Sequence, residues 1–442
     1  MCAEASDILW DIVEEHFDEA EFLAEDFERR LDDPLLTLDE LRRGTEGRLL
    51  ASLDALVVAG RPAAETLFGG VLEKPDGESA ARITVAAFVL AELGDVESLL
   101  RLLTHEARGV RAAAMRGCDL ASSSAIEAEA AARLRDSQGA GAAAAIRLLA
   151  RRGVPVSVLD AALASSDRDL ASAALATAWR AQQWQCAPAV ERLTALPDAE
   201  TRELATLALC AWDAPRAADA CARGALDRER PSRALMSAYA VLGGSEEHAR
   251  LLELRSLPSH RLDVLRALGA SGDSRSIPVL LEHVASEDPA EAAVAASALS
   301  TLAGLDLKDE RWFVPPLPRT SEGETDEAAD EAEARAALPP FEEDDLDADL
   351  VPPPESSLGA VDPEAFRRWW AERAADFAPG ERYVGGEPWS EVAALAYLAR
   401  APLGQRHGVA LALAIRTNGR ALVDTRARSR EQLQLLRTAG RL

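Results

Sequence analysis

The stretch ALGASGDSRSIPVLLEHV, residues 267–284, closes one helix, turns, and opens another. Gly272 stands where a helix ends most easily in a left-handed residue. Asp273 follows, where the next helix needs a side-chain acceptor for its unpaired amides. Pro278 falls in that helix's first turn, where a missing N–H costs little. An Ala-rich helical run, EAAVAASALSTLAG from Glu291, comes next. The unit is therefore helix, turn, helix, with a period near thirty residues.

Outward from this unit the pattern recurs. Segments of the same character begin near 81, 111, 141, 171, 202, 232, 261 and 291. Gly94-Asp95 repeats the Gly-Asp turn, and Pro188 and Pro215 repeat the first-turn proline. Alternating β-branched runs closed by hairpin turns are absent from this stretch. The repeats resemble the short HEAT-like repeats. That resemblance implies an all-α fold, an α-solenoid in which stacked helix pairs form a right-handed superhelix. The high Ala content lets helices approach closely, so 5% aromatic residues suffice for a thin core.

Beyond the repeats the chain divides into an acidic helical N-terminal cap (1–60), the solenoid (61–313), an acidic Pro-rich linker expected to be disordered (314–361), and a small, mostly helical, Arg-rich C-terminal module (362–442). In the cap, a helix over 7–31 carries Leu9, Val13, Phe17, Ala20, Leu23, Phe27 and Leu31 at 3-4 spacing. Thr37 and Glu40 form a capping box that opens a second helix, expected to run to about Val58. In the C-terminal module, helices are expected over 363–377 and from about Ser390, Gln405 and Ser429, with 421–425 extended.

The chain has 442 residues and a formal net charge of −27. Residues 1–40 hold fifteen Asp/Glu and two Arg, and residues 320–350 hold thirteen Asp/Glu and one Arg. These two segments supply nearly the whole excess. Such a balance argues against a nucleic-acid binder, which needs a basic footprint. From Arg406 to the end, eight Arg face Asp424 and Glu431, and this tail is expected to attract the acidic linker. Deleting 320–350 is expected to leave the fold intact; loss of a cooperative melt on that deletion would make the segment structural. No run approaches the roughly 18 apolar residues of a membrane helix. Neither a secretory signal nor a CxxC pair occurs, so the chain is read as cytoplasmic.

Catalytic and metal-binding patterns are missing. His105-Glu106 is the one His-Glu pair, too few for the di-iron hydroxylase built on HEAT repeats, and no feature marks a bilin-lyase pocket. His16, His248, His260, His283 and His407 lack HxxxH or HExxH spacing, and a surface role is expected for His407. Cys210 and Cys221 face each other across one helix pair as inert thiols. The reading is a non-enzymatic protein with no cofactor and no metal.

Candidate protein contacts are Glu14, Asp18, Glu21 and Glu25 on the acidic cap; Trp179, Trp184 and Trp212 near the ends of first helices; Trp369 and Trp370, about 100° apart on one helix; and Arg426, Arg428 and Arg430 in the tail. Trp is favoured at interface hot spots. The cap run Ile8-Leu9-Trp10-Asp11 with Glu14-Glu15-His16, and the C-terminal run Phe377-Ala378-Pro379-Gly380-Glu381-Arg382-Tyr383 with Arg406-His407 and Asp424-Thr425-Arg426, are similar to an uncharacterised proteobacterial HEAT-repeat family. Its members tend to be encoded near type VI secretion genes. The resemblance implies a scaffold or adaptor for a secretion-system cargo, spike or effector, or an immunity protein neutralising a toxin.

Overall fold

The structure, a computed structural model, describes residues 8–122, 140–151, 159–315 and 352–439. The fold is all-α, a solenoid-like helical repeat. Among the described residues one two-stranded ribbon lies beside the helices, Tyr383–Val384 paired antiparallel with Glu387–Pro388. The linker residues 316–351 and the run 125–136, expected to be a second helix, lie outside the described residues.

The cap comprises α1 (Trp10–Arg30), α2 (Leu38–Arg43) and α3 (Thr45–Glu73). Val13, Phe17, Ala20, Leu23 and Phe27 are buried along α1 as the spacing predicts, whereas Leu9, just before its first turn, is exposed. The Thr37–Glu40 capping box forms. The helix it opens does not run to Val58. Gly44 interrupts it, α3 takes over, and Gly60 (φ 77°) kinks α3 before Pro62. By length and mean hydropathy (1.2), the stretch Leu38–Glu73 reaches the range of a membrane-crossing segment. It packs through Leu49, Leu53, Leu56 and Phe68 in the core shared with α1 and α4.

The repeats follow. Their first helices are α4 (Ala80–Leu93), α6 (Arg108–Leu120), α7 (Ala140–Arg151), α9 (Arg168–Arg180), α11 (Ala199–Trp212), α13 (Arg233–Leu242), α15 (Pro258–Ser271) and α17 (Pro289–Ala303). Second helices include α5 (Val96–Leu103), α8 (Leu159–Leu163), α10 (Ala187–Leu193), α12 (Ala214–Ala225), α14 (Ser245–Leu254) and α16 (Ile277–Val284). Gly94 and Gly272 adopt the left-handed turn, and Asp95 accepts from Ser98 N as a cap. Two helix-interior glycines mark where first helices touch. A Cβ on Gly117 would lie 2.3 Å from Thr84 O, and one on Gly269 would lie 2.8 Å from Ala298.

In three of the repeats an arginine ties the unit to the one before it. The fourth residue of the first helix reaches back to the carbonyls that end the preceding unit. Arg111 donates to His105 O and Glu106 O (both 2.7 Å), Arg202 to Leu196 O and Pro197 O (2.8 and 3.2 Å), and Arg261 to Arg255 O (3.1 Å). Each link satisfies carbonyls in the turn that joins the two units.

The C-terminal residues do not stand apart from this stack. Helices α18 (Pro363–Arg373), α19 (Glu391–Arg400), α20 (Leu403–Arg416) and α21 (Ser429–Ala439) carry the chain back from the last repeat to the cap. Gly385 N donates to Thr301 O (2.8 Å) and Gly386 N to Leu302 O (3.0 Å), capping α17. Helix α20 then packs across α11, α13, α15 and α17. The turn at Gly419 lies against the Trp212 ring, and Asp424 pairs with Arg180 of α9. Residues 421–425, expected to be extended, are irregular and form no strand. Finally Leu403 N donates to Leu36 O and Gly404 N to Asp33 O (2.8 and 2.9 Å), while Lys308, just past α17, holds Glu40 with contacts of 2.6 and 2.8 Å. The stack therefore bends until its two ends meet, and its own tail fills the inside.

Candidate functional site

Three places concentrate chemistry: the inner face under the tail, the outer face of α1, and a cavity where cap, repeats and tail converge.

On the inner face the tail's cations meet helix C-termini, whose aligned peptide dipoles favour positive charge. Arg382 donates to Ser271 O and Gly243 O (2.8 and 2.5 Å), and Arg416 to Val241 O and Ser271 O (3.2 and 3.4 Å). Burial, then the neighbouring Arg382, push Arg416 down to about 10. Arg426 pairs with Asp32 (3.1 Å) and Glu28 (3.6 Å). The Arg-rich tail thus uses helix ends and cap carboxylates as its counter-charges. His407 is not a surface residue. Its Nε2 lies 3.0 Å from Leu31 O and its Nδ1 2.7 Å from Thr425 Oγ1, because helix α20 carries it against the cap. Arg406 beside it is wholly buried, donating to Leu398 O and Gln432 Oε1 (2.8 and 2.7 Å).

The named contact candidates separate clearly. Trp179 and Trp212 are half-buried with ring centroids 6.1 Å apart, and Trp212 is covered by Gly419. Trp184 is 62% exposed. Two residues before it, Gln182 is one of two non-glycine residues at positive φ among the described residues. Trp369 and Trp370 are both half-buried, each about 6 Å from the Phe377 ring, so neither projects freely. The chain turns after α18, and Phe377, four residues past its end, comes back against both rings. Arg428 is half-buried and Arg430 exposed. Trp184→Ala is expected to leave the melting temperature within a degree or two, since an exposed ring adds little packing; a drop of several degrees would mean that the ring supports the repeat.

Along α1 the carboxylates fall into two sets. Glu19 binds Arg48 and Ser52, Glu21 binds Ser79 and Arg82, Asp26 binds Arg29, Arg30 and Thr45, and Glu28 binds Arg116. Asp11, Glu14, Glu15, Asp18 and Glu25 are exposed, and among the described residues they have no ion-pair partner. At 100° per residue these five share one arc of the helix. Phe22 projects from that same arc, 61% exposed. The sequence carried this signal: Phe22, like Ile12, is a large apolar residue that falls off the 3-4 stripe.

Among the described residues no three His, Cys, Asp or Glu side chains converge as a metal site. The histidines serve local structure instead. His248 meets Ala240 O and Asp273, His260 meets Asp227 O, and His283 meets Glu291. The Cys210 and Cys221 thiols contact each other inside the α11–α12 pair. That contact, then burial, raise the Cys210 pKa, which favours an inert thiol.

No protein-family model matches this chain, and no curated protein matches it.

Proposed function

We propose that this protein is a non-enzymatic scaffold or adaptor that holds another protein on the outer face of α1. The observation that carries this reading is the uncompensated acidic arc of Asp11, Glu14, Glu15, Asp18 and Glu25 around the exposed Phe22. Desolvating an aromatic ring supplies affinity, while surrounding like charges select a partner and speed its approach. The partner is therefore a protein with a basic surface and an apolar recess. The inner face, a usual binding surface of solenoids, is taken by the chain's own tail, which leaves the outside for partners. Given the family resemblance, that partner belongs among type VI secretion spikes, adaptors or effectors.

The same acidic arc favours a second reading, an immunity protein that neutralises a basic toxin such as a nuclease. Co-purification with the products of neighbouring genes tests the first reading, and binding to none of them removes it. Survival of cells co-expressing the toxin and this chain tests the second, and absence of protection removes it. For whichever partner is found, Phe22→Ala combined with Asp18→Arg is expected to weaken binding at least about tenfold. Binding should also weaken as salt rises, because exposed charges are screened. Affinity indifferent to both would place the interface elsewhere.

A further inference from the structure

A cavity of about 460 Å³ lies where the loop after α1, the helices α13, α15 and α17, and the tail helix α20 converge. It falls within the roughly 300–1,000 Å³ typical of small-molecule sites. Two glycines bring its walls together. A Cβ on Gly404 would sit 2.5 Å from Asp32 O, and one on Gly408 would sit 2.8 Å from the Ala270 Cβ. Its charges are mostly spoken for. Arg266 is held by both oxygens of Glu355 (2.8 and 2.7 Å) and by Asp263 (2.9 Å), and Arg426 and His407 share Asp32.

Two lining groups are left over. Arg233 has its nearest carboxylate, Asp263, at 3.9 Å, and that carboxylate already binds Arg266. The Arg233 side chain is 45% exposed, so it can be reached from solvent. Glu203 is half-buried and, among the described residues, has no hydrogen-bond or ion-pair partner. The two do not pair with each other. An anion would answer Arg233 and leave Glu203 unmatched, and a cation would do the reverse. A ligand carrying both signs answers the two groups at once.

We infer that this cavity binds a small zwitterion of amino-acid or dipeptide size, its carboxylate on Arg233 and its ammonium on Glu203. Ser232 and Ser237, beside Arg233, offer hydroxyls, and Ala234, Ala298 and Leu411 supply apolar wall. The inference is independent of the partner assigned to α1.

The test uses the full chain against the twenty L-amino acids and glycylglycine, by thermal shift and then calorimetry. Ligand that binds only the native state raises the melting temperature. At least one zwitterion is expected to bind, with its amide (no carboxylate) and its N-acetyl form (no ammonium) at least about tenfold weaker. Arg233→Ala and Glu203→Gln should each cost a similar factor while the unliganded melts stay within a few degrees of wild type. The inference is overturned if no member of the panel binds with a Kd below about 1 mM. It is equally overturned if the amide and N-acetyl forms bind as well as the parent, or if neither substitution weakens binding.

Discussion

Truncation after Glu381 is expected to abolish cooperative folding of the whole chain, not to release a trimmed but intact solenoid. The segment it removes buries Tyr383, Leu395, Leu398, Leu403, Val409, Leu413, Ile415, Val423 and Leu436. Each large apolar side chain contributes about 1.5–3 kcal/mol on burial, so together they exceed the reserve of a typical domain. The truncation would also uncap α15 and α17, strip His407 and Arg426 from Asp32, and leave Glu28 with Arg116 alone. Circular dichroism and a thermal melt of residues 1–381 beside the full chain provide the measurement. A cooperative melt within a few degrees of wild type would show that the tail is an appendage. Gly408→Leu is the milder version. Its side chain would drive α20 off Ala270 and should cost about 1–3 kcal/mol, the range for overpacking a tight contact.

How much of this could be read beforehand depends on whether the cause is local. The Gly272–Asp273 turn, the first-turn prolines and the Thr37–Glu40 box are each decided within four residues, and each appears where the sequence puts it. Helix α1 is equally legible, because its stripe has one face to bury. The return of the tail was not legible. It depends on pairings such as Gly385 with Thr301, Arg382 with Gly243 and Gly404 with Asp33, between residues far apart in sequence. Composition did record that the tail is basic. It could not say that helix C-termini would receive part of that charge, since a helix dipole has no residue type. His407 departs from expectation for the same reason: a histidine beside an arginine looks like surface until a distant carbonyl, Leu31 O, claims it. The cavity residues Arg233 and Glu203 are ordinary helix residues in the sequence, and their isolation arises only when every neighbouring charge has found a partner.

Closure of the two ends should weaken in acid, and Asp32 is the group to watch. Burial alone would raise its pKa. The His407 hydrogen bond and the charges of Arg426, His407 and Arg233 outweigh burial and hold the carboxyl down at about 2, against an ordinary 3.8. The folded pKa is therefore depressed, so the stabilisation is complete above about pH 4 and is lost as pH falls towards 2. A difference of that size corresponds to about 2 kcal/mol. Glu40 acts in the same direction from the other side of the closure: its bonds to Lys308 and Thr37 lower it to about 2 from 4.5, though its exposure lets solvent screen much of the effect. Asp32→Asn keeps the shape and removes the charge. Urea midpoints at pH 7, 5, 3 and 2 should show the variant less stable than wild type at pH 7 and 5, with the gap shrinking at pH 3 and closing near pH 2. A gap that stayed constant down to pH 2 would mean that the Asp32 carboxylate does not hold the ends together, and the closure would then rest on the backbone bonds of Leu403 and Gly404 to the loop after α1.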